Sequence, residues 1–134
     1  MPYFDCYLAP VPRANKAAYE ELARIAERVL REHGATRVVD SWLDDGGPQA
    51  ESYHGSTVRL ASDQYPSFVQ AVGIHAGETV AMSWVEWPDK AARDAGMEKV
   101  TGDPRMQFDD RPAAFDGRRL LAAGFVPMLP MDAA

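Results

Sequence analysis

The stretch Thr79-Val80-Ala81-Met82-Ser83-Trp84-Val85-Glu86-Trp87-Pro88-Asp89-Lys90 decides how this chain folds. Thr79 to Trp87 is rich in β-branched and aromatic side chains and reads as a strand. Pro88 has no amide proton for a ladder, and Asp89 is a good N-cap, so the strand gives way to a helix over Lys90 to Thr101. Ala91, Ala92, Ala95 and Gly96 would let that helix lie close to a sheet. Working outward, Tyr3 to Val11 forms a first strand, closed by Pro12. A helix follows from Arg13 or Ala14 to His33, because Ala18, Leu22, Ile25, Val29 and Leu30 recur at helical spacing. Gly34 follows where a left-handed C-cap is cheapest. Arg37 to Leu43 resumes a strand pattern. Beyond the deciding stretch, Asp103-Pro104 starts a helical turn at Arg105 and Met106. Asp109 to Pro112 reads as loop, Asp116-Gly117 as a turn, and Arg118 to Leu129 as a last strand. Between the halves, Asp44 to Pro66 is a long surface loop with a short strand expected at Thr57 to Leu60. Ser67 to Val72 fits a helix or a strand equally. The order β-α-β, loop, β-α-β predicts an α+β, ferredoxin-like βαββαβ fold: a four-stranded antiparallel sheet with two helices on one face.

Composition bounds the rest. The 134 residues, 46% hydrophobic and 25% charged, suit one soluble domain spanning residues 1–134. No apolar run approaches the ~20 residues of a membrane helix. Met1-Pro2-Tyr3-Phe4-Asp5 lacks the regions of a signal peptide, so a cytoplasmic location is expected. The single cysteine, Cys6, cannot form an internal disulfide and reads as a buried, inert thiol. Fourteen basic against 20 acidic side chains give a net charge of -6, which disfavours a broad nucleic-acid surface. Neither nucleic acid nor membrane is therefore an expected partner.

Ser83-Trp84-Val85-Glu86-Trp87-Pro88, Lys90 to Met97 and Asp103-Pro104-Arg105-Met106 together resemble the family called domain of unknown function 1428, the YbaA-like proteins. Tyr3 to Pro12, Trp42 to Asp45 and Phe115-Asp116-Gly117-Arg118-Arg119 fit the same pattern, so the resemblance spans nearly the whole chain. It implies a ferredoxin-like fold of the dimeric α/β-barrel group, in which two sheets associate face to face around a shared interior. It brings no established activity with it. The chain departs from the family pattern in a longer loop between Asp45 and Ser67, and in Asp40, where glutamate is expected.

Strand alternation proposes a site, because only one sheet face can meet the helices. Phe4, Cys6 and Leu8 form the apolar set of the first strand, and Asp5 and Tyr7 belong to the amphipathic one. Asp40 and Trp42 share a face of the second strand, Trp84 and Glu86 a face of the third. Asp5, Asp40 and Glu86 are thus expected to line one face with Tyr7, Trp42 and Trp84. Carboxylates within an aromatic lining could supply a general acid or base, or hold a cationic ligand against tryptophan faces. The competing reading is structural, with these acids paired to Arg37, Arg118 or Arg119. Trp84 and Trp87 are expected to face opposite ways, one toward a core and one toward an interface. Arg105 is the basic residue best placed for an anion near exposed backbone amides. Lys90 and Asp94 make an i,i+4 pair instead.

His33 reads as a C-terminal cap of its helix. His54 and His75 lack a partner at metal-ligand spacing, and no phosphate-cradling or dinucleotide glycine pattern occurs. No metal or cofactor is expected. The leading reading is an uncharacterised homodimeric α/β-barrel protein that binds a small molecule in a polar-aromatic cleft on the sheet face. A cofactor-independent monooxygenase-like enzyme, and a purely structural or interaction dimer, are the competing readings.

Overall fold

A computed structural model describes residues 1–55, 60–61 and 64–131. Strand β1 spans Tyr3–Pro12, β2 Arg37–Trp42, β3 Glu78–Trp87 and β4 Leu121–Phe125. Helix α1 spans Lys16–Glu32, the short α2 Phe68–Val72, and α3 Lys90–Gly102. The ambiguous segment after Ser67 is helical: the Ser67 hydroxyl accepts from the Gln70 amide, and Gly73 ends the turn at φ 71°. The expected short strand at Thr57 to Leu60 falls mainly on residues outside the described ones. The last strand is shorter than its apolar composition suggested, ending at Phe125 because Pro127 and Pro130 cannot donate to a ladder.

The sheet order is β2-β3-β1-β4 with every pair antiparallel, the ferredoxin-like arrangement. Asp89 caps α3 through a 2.7 Å bond from the Ala92 amide to its Oδ1. At the far end of α1, Gly34 takes φ 113°, and the Gly34 and Ala35 amides return to the Arg31 and Leu30 carbonyls. These are the two bonds of a Schellman ending, which explains why a glycine stands there.

Helices α1 and α3 cover one face of the sheet. Val29 and Leu30 of α1 and Val100 of α3 pack with Val38, Val85 and Trp87. A second cluster gathers Ala9, Val11 and Ala81 beneath Tyr19, Trp42, Phe115 and Leu120. Gly96 is where α3 comes closest: a Cβ built there would lie 2.5 Å from Trp87 Cζ3 and 2.6 Å from the His33 carbonyl oxygen. Gly96 is the small residue this approach requires; Ala92 is half-buried, and Ala91 and Ala95 are exposed.

Candidate functional site

The register assigns each candidate residue to a face. Asp5 pairs with Val85 and Tyr7 with Ser83, whereas Cys6 pairs with Trp84 and Phe4 with Glu86. On the other side of β3, Asp40 pairs with Ser83, Val39 with Trp84 and Arg37 with Glu86. Directly paired residues share a face and their neighbours take the other. Asp5, Tyr7, Asp40 and Trp42 therefore lie under the helices, and Trp84 and Glu86 lie on the open face. The expected single constellation of six is split in two. Alternation within β3 was read correctly; its registration against β1 and β2 is one residue away from what the shared face required.

The four residues on the covered face are engaged. Asp5 is buried. It accepts from the Trp87 indole at 3.1 Å and from Arg93 Nε at 3.0 Å and 3.2 Å. The acid does find a basic partner, but on α3 rather than at Arg37, Arg118 or Arg119. Arg118 instead binds Asp116, and Arg119 binds Glu78. Burial, with the nearby Asp5 charge, pushes Tyr7 up to about 12, so its phenol stays protonated. Asp40 accepts from the Ser83 hydroxyl at 2.6 Å. Although much of the residue stays open to solvent, lost hydration raises the carboxyl pKa while the Ser83 bond works the other way. Trp42 donates to Glu20 at 2.9 Å, lies 5.3 Å from the Tyr19 ring and carries Lys16 over its face.

Arg105 is likewise committed within the chain. Its guanidinium reaches Asp103 at 2.8 Å and Glu32 at 2.6 Å, joining α1 to the turn after α3. His33 Nε2 meets the same Asp103 at 3.1 Å. Together these donors hold the Asp103 carboxyl far below the usual carboxylate range, Arg105 contributing most. Two carboxylates already satisfy the one arginine, so the cluster works as a tie between elements.

The open face holds the more informative geometry. A depression of about 310 Å3, open to solvent in the single chain, lies on it, lined by Cys6, Leu8, Met82 and Phe68 with Leu121 and Phe125 of β4. Every one of those side chains is uncharged, and the volume reaches the lower end of ordinary small-molecule sites. Cys6 is half-buried on this wall rather than sealed in the core. Desolvation, with Asp5 adding to it, raises its pKa and keeps it a thiol. Trp84 neighbours Cys6 across the ladder, while Trp87 is fully buried beneath the helices. The two tryptophans do face opposite ways. Reading the sequence missed Phe68, Leu121 and Phe125, because α2 and β4 carry no periodicity long enough to show which face they serve.

No group of three or more His, Cys, Asp or Glu side chains suited to a metal occurs among the described residues, and no helix there is long and apolar enough to cross a membrane. Residues 2–117 match the model of a family described as a protein of unknown function, DUF1428. The chain belongs to the DUF1428 family. It is 34% identical over 125 residues to the uncharacterized protein YbaA of Escherichia coli K12, covering 93% of this chain and 95% of that one. The YbaA of Shigella flexneri matches with the same identity and coverage. Among solved structures, Rv0793 from Mycobacterium tuberculosis superposes with a TM-score of 0.54 at 12% identity, over 98% of this chain and all of that one. A dimeric ferredoxin-like protein from an uncultured marine organism gives 0.51 at 8% identity, with 98% and 100% covered. At such identities these structures speak for the fold alone.

Proposed function

We propose that this DUF1428 protein works as a homodimer whose open sheet faces meet and enclose a site for an uncharged, apolar small molecule. The observation that carries the reading is the uncharged cavity on the sheet face that α1 and α3 leave open, beside the short α2. Charge supports self-association there. The chain carries -6 overall, so two copies repel at most orientations. On the open face the ladder parity places Arg37, Glu78 and Glu86, and Arg119 binds Glu78 at 2.7 Å. Two positive groups stand against two negative ones, so this surface meets its own copy without a net charge penalty. The dimeric state described for the marine ferredoxin-like protein agrees with the reading.

The ligand class follows from the lining. A charged molecule entering this cavity would lose hydration and find no ion to pair with, whereas an apolar one gains from leaving water. The polar-aromatic cleft expected from the sequence gives way to an apolar one, since Asp5 is buried against Arg93 and Trp87 and Asp40, bonded to Ser83, lies on the opposite face of the sheet. The test is light scattering for mass, together with titration of an uncharged naphthylamine fluorophore. Met82→Glu places a charge at a position already exposed to solvent in the single chain, so the fold should survive it. The wild-type protein is expected to run as a dimer and to enhance the fluorophore; the variant should lose both. A monomeric wild-type protein, or undiminished enhancement in the variant, overturns the reading.

A further inference from the structure

Leu120 to Met131 reads Leu-Leu-Ala-Ala-Gly-Phe-Val-Pro-Met-Leu-Pro-Met, twelve residues without a charged or polar side chain in a chain that is 25% charged. Its first part contains β4, the sheet's outer strand, paired with β1 on one side only and exposed at all five positions. Edge strands that face water normally carry lysine, proline or a bulge to discourage further pairing. Within Leu121 to Phe125 there is no charge and no proline. After Phe125 the chain leaves the sheet with Val126 66%, Met128 93% and Leu129 72% exposed. Among the described residues nothing covers them. Pro127 and Pro130 restrict the backbone of the segment, which bends at Met128 and Leu129, and so lower the entropy lost when it docks. Drawn out from that bend, six residues span at most about 20 Å, far enough to cross onto another chain.

We propose that residues 126–131 form an arm exchanged between two copies, laying Met128 and Leu129 across the partner's open sheet face and closing the cavity beside its Cys6. The inference rests on the dimer reading above and adds that each site is incomplete without the other chain. A second copy is the fitting occupant for two reasons. Its open face is charge-balanced where the rest of the chain is acidic, and a two-fold pair exchanges both arms at once and leaves no arm uncovered. The arm begins where the cavity wall ends, at Phe125, so the exposed apolar surface is continuous from one to the other.

The experiment uses the full chain carrying Met128→Cys, so that the only thiols are the introduced one and native Cys6. It is treated with a short bismaleimide, and the products are mapped after trypsin cleavage at Arg13 and Arg119. Wild-type protein sets the background, and Met128→Cys with Cys6→Ala is the negative control. The expected product has the mass of two chains and links the peptide holding Cys6 to the one holding position 128. Light scattering on the same sample reports the dimer separately. A dimer whose link lies within one chain, joins two copies of position 128, or does not form overturns the arm and leaves the dimer standing. A monomer overturns both. In a second measurement, a chain ending at Phe125 should bind the fluorophore at least tenfold more weakly at concentrations where it remains dimeric. Unchanged affinity there also overturns the arm.

Discussion

Replacing Gly96 by alanine tests the packing that brings α3 onto the sheet. In an open helix this change stabilises by about 1 kcal/mol, because alanine loses less backbone freedom. Here the added Cβ would sit 2.5 Å and 2.9 Å from Trp87 ring carbons and 2.6 Å from the His33 carbonyl oxygen. Ordinary carbon contacts lie near ~3.5–4.0 Å, so roughly 1 Å must be recovered by movement. Neither neighbour yields easily. The His33 oxygen belongs to the backbone at the end of α1, and Trp87 is fully buried with its indole bonded to Asp5. Overpacking of a tight core costs up to about 3 kcal/mol, leaving a net loss of about 2 kcal/mol after the helical gain. For a chain of this size that lowers the melting midpoint by roughly 6–10 °C. Thermal unfolding followed by circular dichroism measures it. Gly102→Ala is the control, since a Cβ there meets nothing within 4 Å. The control should be neutral or slightly stabilising. If Gly96→Ala melts at or above the wild-type midpoint, the close approach of α3 is not what that glycine serves.

Asp5→Asn should destabilise by about 1.5–2 kcal/mol in urea unfolding, at the lower end for charged hydrogen bonds because the Arg93 side chain is a third exposed. The same variant should leave fluorophore binding unchanged, since Asp5 lies on the opposite face from the cavity; a binding loss at preserved fold would restore Asp5 to the ligand site. Glu78 supplies a separable part of the pH dependence. Bonds from Arg119 and the His75 amide hold its pKa at about 2 against an ordinary 4.5. Its contribution is therefore fully present above 4.5 and is lost as pH falls toward 2. Melting curves across that range should show a steeper acid decline for the wild type than for Glu78→Gln, and parallel declines would contradict the assignment.

The sequence by itself determined the elements and much of their order. Asp89 and Gly34 mark helix ends through local hydrogen bonding and backbone freedom, which depend on a few neighbouring residues. The ferredoxin-like arrangement follows from the βαββαβ order, as the sheet order β2-β3-β1-β4 bears out. Alternation also separated the two faces of each strand correctly. Only the tertiary structure decided which of those faces meet. Asp5 joins Val85 rather than Glu86 because register is a relation between strands about 80 residues apart, and a shift of one residue exchanges every side chain between faces. It likewise decided that the amphipathic set lies beneath the helices. Arg93 and the Trp87 indole satisfy Asp5 there, leaving the apolar set of Phe4, Cys6 and Leu8 on the open side. No local pattern contains that choice, because it depends on what α1 and α3 bring to the sheet from elsewhere in the chain.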